Sequence, residues 1–367
     1  MKLIIAGGGT GGHLFPGIAV AEEFLSRDPA NEVLFVGTER GIEARAVPAA
    51  GYQLELISAA GIRGKGIISQ LRGAAMMAYG YAQSRKILKR FRPDVVLGVG
   101  GYASLPMVLA ARGMKIPRFI HEQNAIPGLT NRLLARFASK VFITLEESAR
   151  YFPATTTMLT GNPLRKQILD SLEPKHEDSS ATSPAAGANA CLHLLVFGGS
   201  QGAHAINTAM TEALPLLKNC PVNVSITHQT GEKECAEVKS AYLAAGIEAL
   251  VTPFIDNMAS AYAKADLIIC RAGATTIAEV TACGKACLFI PFPHAVDDHQ
   301  RRNAEALLKK DACFMMLEHE LSGTTLAESI CTLSQDPELV QRTGELAFIM
   351  SKLDAAKIIV DEMLQLN

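Results

Sequence analysis

The chain has 367 residues, of which 49% are apolar and 19% charged, so it can bury two ordinary cores and is neither a disordered chain nor a collagen. Its net charge of -1 excludes a strongly basic nucleic-acid binder. The charge is unevenly spread, because residues 1–162 carry 19 basic and 11 acidic residues and the rest carries 16 and 25. The amino-terminal surplus predicts contact with an anionic surface or ligand.

Two series of short apolar runs follow each other along the chain, and each run leads into a helical pattern. Strands that alternate with helices predict parallel sheets covered on both faces. The polar stretch 173–190 between the two series predicts a surface loop, so the expected fold class is α/β, with two Rossmann-like parallel-sheet domains facing a cleft. The predicted strands are Leu3–Ala6, Val33–Val36, Leu54–Ile57, Val95–Val99, Phe119–His121 and Val141–Thr144, then Leu194–Phe197, Val222–Thr227, Ala249–Val251, Leu267–Cys270, Cys287–Ile290 and Phe314–Leu317.

Membrane and redox signals are weak. The longest uncharged apolar stretch, Val95–Ala111, contains glycines and a proline and is shorter than the ~18 residues of a spanning helix. The first strand begins without the hydrophobic region of a secretory signal. Eight cysteines stand apart in the sequence, which favours a reduced, cytoplasmic protein. The last stretch, from Glu345 to Asn367, is expected to be helical.

A glycine-rich loop, GGGTGGH at residues 7–13, follows the first strand and leads into a helix with Pro16 expected in its first turn. Glycines let backbone amides approach a ligand closely, and a helix N-terminus favours negative charge. The loop therefore predicts a phosphate-bearing ligand. Its glycine spacing also matches the dinucleotide fingerprint, with Glu39 as the ribose-binding acid, so a nicotinamide or flavin enzyme is an alternative.

The same pattern, a strand followed by a glycine loop and a helix, recurs in VLGVGGY at 96–102 and VFGGSQGA at 196–203. Three such loops favour two phosphorylated ligands that meet in a cleft over one dinucleotide. For the loop at 98–101 the alternative is tight packing between strand and helix. A further predicted strand ends at Cys270 and is followed by a helix that contains Glu279. The Glu279 carboxylate could accept hydrogen bonds from both hydroxyls of a ribose; the alternative is an ordinary glutamate in solvent.

The motifs together resemble the MurG family of bacterial N-acetylglucosaminyltransferases over nearly the whole chain. In the family's order they are GGTGGH at 8–13, GVGGY at 98–102, HEQN at 121–124, GLTN at 128–131, GNPLR at 161–165, GGSQGA at 198–203 and CRAGA at 270–274, followed by Glu279. The resemblance implies the two-Rossmann-domain architecture called GT-B. It places an acceptor and membrane-facing domain at 1–162 plus a returning C-terminal helix at 346–367, and a donor domain at 163–345 with a flexible loop at 173–190.

The resemblance implies UDP-N-acetylglucosamine as the donor. Arg165 and the backbone of Ile255 would hold the uracil, Glu279 the ribose, Ser200 with nearby amides the pyrophosphate, and Gln300 the sugar hydroxyls. No cofactor is implied, and no Asp-x-Asp pair near a strand end predicts a metal. The implied donor-binding residues are Thr10, Gly11, Gly12, Asn124, Arg165, Ser200, Ile255, Ala274, Thr275, Thr276, Ile277, Ala278, Glu279 and Gln300.

The implied acceptor is undecaprenyl-pyrophosphoryl-N-acetylmuramyl-pentapeptide, whose 4-hydroxyl would attack the donor with inversion. His13 is the predicted base, because the ordinary histidine pKa of about 6.5 suits proton abstraction near neutrality. The alternative is that His13 only hydrogen-bonds a phosphate or the loop backbone. The residues predicted to meet the acceptor or its pyrophosphate are Gly9, His13, Gly100, Gly101 and Tyr102.

Eleven basic residues and one acid lie between Leu56 and His121. We predict that a membrane patch of Ile67, Ile68, Leu71 and Arg72 docks on the anionic inner face of the cytoplasmic membrane. For residues 76–88 an ordinary amphipathic helix is the alternative. The resemblance implies a peripheral protein, cell-wall synthesis and division proteins as further partners, and no nucleic acid. Competing functions are a related lipid or small-molecule glycosyltransferase, a non-catalytic nucleotide-sugar sensor and, more remotely, an oxidoreductase.

Overall fold

The computed structural model describes residues 1–39, 41–59, 67–172, 191–199 and 201–365, with the backbone alone at 67–72 and 74. The chain forms two compact units, Met1–Lys166 with Lys352–Asn367, and Gln167–Ser351. Each unit contains one parallel sheet, which confirms the predicted α/β class with two parallel-sheet domains. The predicted loop 173–190 and Ser200 lie outside the described residues.

The elements of the described residues, in chain order, are as follows. The strands are β1 (Lys2–Gly7), β2 (Glu32–Gly37), β3 (Gln53–Leu56), β4 (Val95–Gly100), β5 (Arg118–Glu122), β6 (Lys140–Ile143), β7 (Thr157–Leu159), β8 (Cys191–Phe197), β9 (Asn223–Gln229), β10 (Ala249–Thr252), β11 (Leu267–Cys270), β12 (Ala286–Phe289) and β13 (Phe314–Met315). The α-helices are α1 (Gly11–Arg27), α2 (Glu43–Ala49), α3 (Ile67–Phe91), α4 (Ser104–Gly113), α5 (Leu129–Leu134), α6 (Lys166–Leu172), α7 (His204–Leu217), α8 (Cys235–Ala245), α9 (Met258–Lys264), α10 (Ala274–Ala282), α11 (His299–Leu308), α12 (Gly323–Ser334), α13 (Pro337–Ile349) and α14 (Ala355–Leu364).

The sheet of the first unit has the order β3-β2-β1-β4-β5-β6-β7. Its central strands are continuous apolar runs because helices cover both faces of a parallel sheet. All six predicted strands are present. β7 escaped prediction because its three residues, only partly buried or exposed, make no apolar run. Since β1 pairs with β4, the two glycine loops that follow these strands leave the same sheet edge side by side.

The sheet of the second unit has the order β10-β9-β8-β11-β12-β13, and all six predicted strands are present. β8 and β11 are neighbours, with Phe197 opposite Cys270. The third glycine loop and the start of α10 therefore also lie side by side. One hydrophobic core, including Val196, Met210 and Ile269, packs α7 and α12 against this sheet.

The C-terminal stretch, expected to be helical from Glu345 to Asn367, is interrupted between Ile349 and Ala355. α13 buries Ala347 within the second unit, whereas α14 packs on α1 in the first and buries Ile359 and Met363. The chain leaves the helical path at 350–354 because the two segments bury their apolar faces in different cores.

Three details differ from the sequence prediction or complete it. α1 begins at Gly11, so Pro16 lies inside the helix rather than in its first turn. Gly11 and Gly12 can be its first residues because the first amides of a helix need no acceptor within that helix. The sulfurs of Cys220 and Cys331 are in contact beside the packing of α7 against α12, a pair that the sequence did not predict. Among the described residues, each helix is too short or too polar to cross a bilayer.

Candidate active site

The two glycine loops of the first unit touch through their backbones. The Gly8 amide donates to the Gly100 carbonyl at 3.3 Å. A Cβ at Gly101 would lie 2.4 Å from the Gly8 carbonyl oxygen, and φ at Gly101 is +77°. Gly101 is therefore needed for the close approach between the two loops, which differs from the strand–helix packing of the alternative. Its contact with the acceptor stays a prediction. Ser104 supports the arrangement, since its hydroxyl accepts from the Gly100 amide and donates to the Ala6 carbonyl.

The amides of the first loop do not all face the same partner. The Gly9 amide donates to the buried carboxylate of Glu43 at 2.7 Å, so a phosphate would not meet that amide. Gly11 and Gly12 are the first two residues of α1, and their amides precede any helical acceptor. Thr10 at the N-cap makes no side-chain cap. These three residues therefore leave the helix N-terminus open to an anion.

His13 lies in the first turn of α1 and is half-buried. Its Nδ1 is 2.8 Å from Oε1 of Gln123 at the end of β5. Gln123 in turn contacts His121, and both residues are buried. Burial, together with the neighbouring His13, lowers the pKa of His121 to about 4, although its hydrogen bond to the Gly161 carbonyl opposes the shift. His121 is therefore neutral near pH 7.

Asn124 owes its position to a residue that the sequence prediction did not assign. The buried carboxylate of Glu122 accepts from the amides of Asn124 at 3.0 Å and Gly128 at 3.2 Å, and from Nδ2 of Asn131 at 2.9 Å. A single acid thus shapes the loop after β5. The sequence offered one indication of this role: Glu122 is a glutamate at the end of an apolar strand, and a buried carboxylate there needs several hydrogen-bond donors.

Two further predicted residues of the first unit face different surroundings. Tyr102 follows the second glycine loop and is 55% exposed, so its ring is open to a ligand. Arg165 lies within the first unit, where its guanidinium is 5.4 Å from the ring centroid of Phe15 on α1. Its predicted contact with uracil stays a prediction.

The membrane patch begins α3, whose backbone is helical from Ile67. Further along α3, Gly80, Ser84, Ile87 and Leu88 are buried while Tyr79 is 60% exposed. The alternative of an ordinary amphipathic helix therefore holds for residues 76–88. The patch itself stays a prediction.

In the second unit a cavity of ≈ 430 Å³ opens at the ends of β8 and β11. The N-cap of α7, Ala203, makes no side-chain cap, so the first amides of that helix are available to an anion. Ser200 belongs to the loop but lies outside the described residues. The cavity is lined by Gly198, Gly202, Ala203, His204, Ala205, Arg271, Phe292, Gln300 and Glu318.

Arg271 is a lining residue that the sequence prediction did not assign. Its Nη1 donates to the carbonyls of Ile290 and Pro291, and its guanidinium pairs with Glu318 and lies 5.3 Å from the Phe292 ring centroid. The arginine is thus a fixed wall of the cavity whose charge is largely met by Glu318. Only the motif around it, CRAGA at 270–274, pointed to this position.

Gln300 lines the cavity as predicted for a sugar contact. Its Oε1 accepts from the Phe292 amide at 3.0 Å. This hydrogen bond holds the side chain through its oxygen and leaves the amide nitrogen, which can only donate, for another partner. Gln300 can therefore donate to a hydroxyl without giving up its own anchor.

Ile255, predicted to hold the uracil through its backbone, is linked to the third glycine loop. The Ile255 amide donates to Oε1 of Gln229 at 2.8 Å, and Nε2 of Gln229 donates to the Gly199 carbonyl at 2.9 Å. The amide is already engaged, so the Ile255 carbonyl is the group available to a base. Gln229 was not predicted, because a glutamine ending a strand carries no distinctive spacing.

The helix α10 begins at Ala274, and its N-cap Gly273 makes no side-chain cap. The predicted residues Ala274, Thr275, Thr276, Ile277 and Ala278 form its first five positions. The Thr275 hydroxyl is buried and has no partner among the described residues, which suits an incoming phosphate oxygen.

Glu279 is 3% exposed and accepts from the Tyr262 hydroxyl at 3.1 Å. The alternative of a solvated helix glutamate is therefore wrong. A buried carboxylate needs donors, and Tyr262 supplies one of them.

The comparisons with known proteins agree with this arrangement. Models of the glycosyltransferase family 28 N-terminal and C-terminal domains match residues 3–143 and 193–359. A UDP-N-acetylglucosamine--N-acetylmuramyl-(pentapeptide) pyrophosphoryl-undecaprenol N-acetylglucosamine transferase of Pelobacter propionicus is 69% identical, with 99% of each chain covered. The protein of the same name from Geobacter sulfurreducens is 64% identical over 99% of this chain and 98% of its own.

Among solved structures, MurG of Acinetobacter baumannii is 31% identical with a TM-score of 0.80, covering 99% of both chains. A UDP-GlcNAc 2-epimerase of Neisseria meningitidis, bound to UDP-GlcNAc, is 17% identical with a TM-score of 0.68 over the full length of both chains, and shares the fold. The sheets, glycine loops and these matches define a glycosyltransferase of the two-domain GT-B class. The chain belongs to glycosyltransferase family 28, in the group of the MurG transferases, which excludes the oxidoreductase alternative.

Proposed function

We propose that the protein transfers N-acetylglucosamine from UDP-N-acetylglucosamine to the 4-hydroxyl of the muramyl sugar in undecaprenyl-pyrophosphoryl-N-acetylmuramyl-pentapeptide, a step of peptidoglycan synthesis. The observation that carries this proposal is the 69% identity, over 99% of both chains, to a transferase whose name states this donor and acceptor. The cavity of the second unit and the paired glycine loops of the first support it.

The donor binds to the second unit in this proposal. The uracil pairs with the Ile255 backbone, the ribose with Glu279, and the sugar hydroxyls with Gln300. Arg165, also predicted to hold the uracil, belongs to the first unit. The pyrophosphate lies against Ser200 and the N-termini of α7 and α10. Amide groups at two helix starts supply partial positive charge where the leaving group gathers negative charge.

The reaction itself is a displacement with inversion at the anomeric carbon. As the acceptor oxygen forms its bond to this carbon, the bond to UDP breaks and its electron pair stays on the pyrophosphate. Uncapped amides at α7 and α10 stabilise that charge at little reorganisation cost, because they are already aligned. Thr275 adds a buried hydroxyl beside them.

The acceptor binds to the first unit. The loop from Gly100 to Tyr102 meets its pyrophosphate, and His13 takes the hydroxyl proton. Thr10, Gly11, Gly12 and Asn124 stay predicted contacts of the donor. His13→Ala should lower kcat by about 10²–10⁴-fold with donor and acceptor saturating, while UDP affinity stays unchanged. Retention of most of the turnover would remove the base role and leave His13 as a hydrogen-bond donor to phosphate.

The undecaprenyl chain fixes where the reaction occurs. We infer a peripheral enzyme on the inner face of the cytoplasmic membrane, held there by the membrane patch at the start of α3. Cell-wall synthesis and division proteins are its expected neighbours.

The test is a transfer assay. Purified protein is incubated with radiolabelled UDP-N-acetylglucosamine and a short-chain analogue of the lipid acceptor, with and without EDTA, and the product is examined for a β-linked disaccharide. We expect product in both conditions. Transfer to diacylglycerol or a small-molecule aglycone, with none to the muramyl lipid, would support the related glycosyltransferases instead; donor binding without any transfer would indicate a sensor.

A further inference from the structure

A run of hydrogen bonds links the buried end of β5 to His13. Nε2 of His121 is 3.2 Å from the Gly161 carbonyl oxygen, and Nδ1 of His121 is 3.0 Å from Nε2 of Gln123. Oε1 of Gln123 is 2.8 Å from Nδ1 of His13. All these groups lie within the first unit. The run ends on the residue that we propose as the base.

The direction of each hydrogen bond follows from groups that can only accept. The Val99 carbonyl lies 2.9 Å from the Gln123 amide nitrogen, and since a carbonyl cannot donate, the nitrogen of the side-chain amide must face it. Oε1 of Gln123 therefore faces His13. An amide oxygen can only accept, so Nδ1 of His13 carries a proton.

His121 fits only one protonation state of this run. Its Nε2 faces a carbonyl and must donate, while its Nδ1 faces the Gln123 amide nitrogen and must accept. That is the neutral Nε2–H form. Burial, which lowers the pKa of His121 to about 4, maintains this form at neutral pH. A second proton, on Nδ1 of His121, would face the N–H of Gln123, so two donors would meet and the Gln123 amide group would have to flip.

Resting on the proposed base role of His13, we propose that Gln123 and His121 are positioning residues that hold His13 as the Nδ1–H tautomer, which leaves the Nε2 lone pair for the acceptor hydroxyl. Among the described residues, Nε2 of His13 makes no hydrogen bond. When the acceptor oxygen bonds to the anomeric carbon, its proton moves to Nε2, and the pair of electrons from the broken bond leaves with UDP. The proton passes to solvent afterwards.

The neutral partner has a chemical consequence. A carboxylate facing Nδ1 would stabilise the imidazolium and slow its deprotonation, whereas an amide oxygen orients the ring without that charge. Of the titratable groups in these segments, Glu43 of α2 bonds Gly9 and Thr38, and His121 of β5 accepts from Gln123. Gln123 is therefore the acceptor for Nδ1 of His13.

The tautomer can be measured directly in the wild-type protein. In ¹⁵N-labelled protein, NMR distinguishes a protonated from an unprotonated imidazole nitrogen, and the His13 signals are assigned by their absence from His13→Ala. We expect the proton on Nδ1 at pH 7.5. A proton on Nε2 would overturn the inference whatever the activity of His13→Ala; conversely, full turnover of His13→Ala would overturn the base role while leaving the tautomer assignment measurable.

Two substitutions of Gln123 separate positioning from structure. Gln123→Met removes the acceptor, so both tautomers should appear by NMR and kcat should fall about tenfold with an unchanged KM for the donor. Gln123→Glu replaces the neutral acceptor with a charged one, so the acid limb of kcat/KM should move up by about one pH unit. It also removes the donor to the Val99 carbonyl, so stability should fall as well. An unchanged pH profile in Gln123→Glu, or a single Nδ1–H tautomer in Gln123→Met, would contradict the proposal.

A matched pair at His121 tests the second positioning residue. His121→Asn keeps an oxygen that can accept from Gln123, and should preserve the Nδ1–H tautomer and most of the activity. His121→Leu removes the acceptor and should behave like Gln123→Met. The control is Gln83→Met, which removes a side chain bonded to the Ser58 amide in the same unit and should leave tautomer and pH profile unchanged. Equal effects of His121→Asn and His121→Leu on the tautomer would count against the role of His121.

Discussion

The amide of Gly9 and the carboxylate of Glu43 are joined by a hydrogen bond of 2.7 Å. The other carboxylate oxygen accepts from the amide and hydroxyl of Thr38 at 2.9 and 3.0 Å. Glycines make room for this acid, since a Cβ at Gly37 or Gly41 would lie 2.4 or 1.9 Å from its side chain. The buried Glu43 side chain thus holds the first glycine loop in shape through three hydrogen bonds.

Replacing Glu43 with Gln should destabilise the first unit and loosen the loop. The amide nitrogen of glutamine cannot accept, so either Gly9 or Thr38 loses its partner, at a cost of about 1–3 kcal/mol. We expect a lower urea midpoint and a raised KM for the lipid acceptor, with unchanged UDP affinity. Glu39→Gln, at an exposed residue after β2, is the control; equal midpoints for the two variants would contradict the role of Glu43.

Gly101→Ala and Gly51→Ala form a matched pair for the contact between the glycine loops. Both residues have positive φ, of +77° and +83°, but only Gly101 has a backbone atom within 3 Å of the added Cβ. Gly51→Ala should cost about 1 kcal/mol of backbone strain and leave kcat unchanged. Gly101→Ala should cost more and lower kcat as well, measured by urea unfolding and transfer assays. Similar losses in both variants would show that the loops tolerate separation.

Gln300→Glu isolates the proposed sugar contact. The new carboxylate still accepts from the Phe292 amide, so the fold of the cavity is kept, but the donor to a sugar hydroxyl is lost. We expect the KM for UDP-N-acetylglucosamine to rise about tenfold, equal to about 1.4 kcal/mol, while the Kd for UDP itself is unchanged by calorimetry. Gln335→Glu, on the exposed end of α12, is the control. A parallel loss of UDP affinity would assign Gln300 to the nucleotide instead.

Stability should depend on pH through His121 and His228. Burial lowers the pKa of each to about 4, whereas histidine in an unfolded chain titrates near 6.5. Between about pH 6.5 and 4 each histidine is protonated in the unfolded state but neutral in the folded state. The free energy of unfolding therefore has its full value above about pH 6.5 and decreases as the pH falls through this window. The difference is about 3 kcal/mol for each histidine.

The first unit offers the test of this pH dependence. From pH 7 to pH 4.5, His121→Asn should lose about 2.5 kcal/mol less stability than the wild type. Hydrogen exchange of the β5 amides measures it, because the two units need not unfold together. His294→Asn, at an exposed histidine, should follow the wild type. A His121→Asn curve parallel to the wild type would show that His121 is protonated in the fold.

Membrane binding should depend on the membrane patch. Combined Ile67→Ser, Ile68→Ser and Leu71→Ser replacement removes apolar area from the start of α3, which contributes about 25 cal/mol per Å² buried in the lipid interface. We expect at least tenfold weaker flotation with vesicles of anionic lipid, and unchanged transfer to a water-soluble acceptor analogue.

The control replaces equally apolar, exposed residues of the second unit. Leu243, Leu250 and Ile349 are 74%, 65% and 75% exposed, and their triple serine variant should float like the wild type. Wild-type flotation of the patch variant would show that the basic residues alone, or another surface, bind the membrane.

Most of the architecture was readable from the chain itself. Continuous apolar runs alternating with helical patterns identified twelve strands and two parallel sheets, because burial on both sheet faces leaves a direct mark on composition. Glycine loops after strands predicted anion sites, since glycine permits a close approach of the backbone to a ligand. β7 was missed because its three residues form no apolar run. The break before Ala355 was missed because the apolar spacing from Glu345 to Asn367 fits one continuous helix, although its two parts pack into different cores.

Tertiary structure alone decided which polar groups work together. Sequence marked His13 as a base and the segment 121–124 as part of the site, but not that Gln123 joins them, nor that Glu43 occupies the Gly9 amide from 34 residues away. Hydrogen bonds are short and directional, so they depend on atoms brought together by neighbouring strands and not on spacing along the chain. The residues were therefore determined by the sequence, whereas their protonation states and partners were decided by the fold.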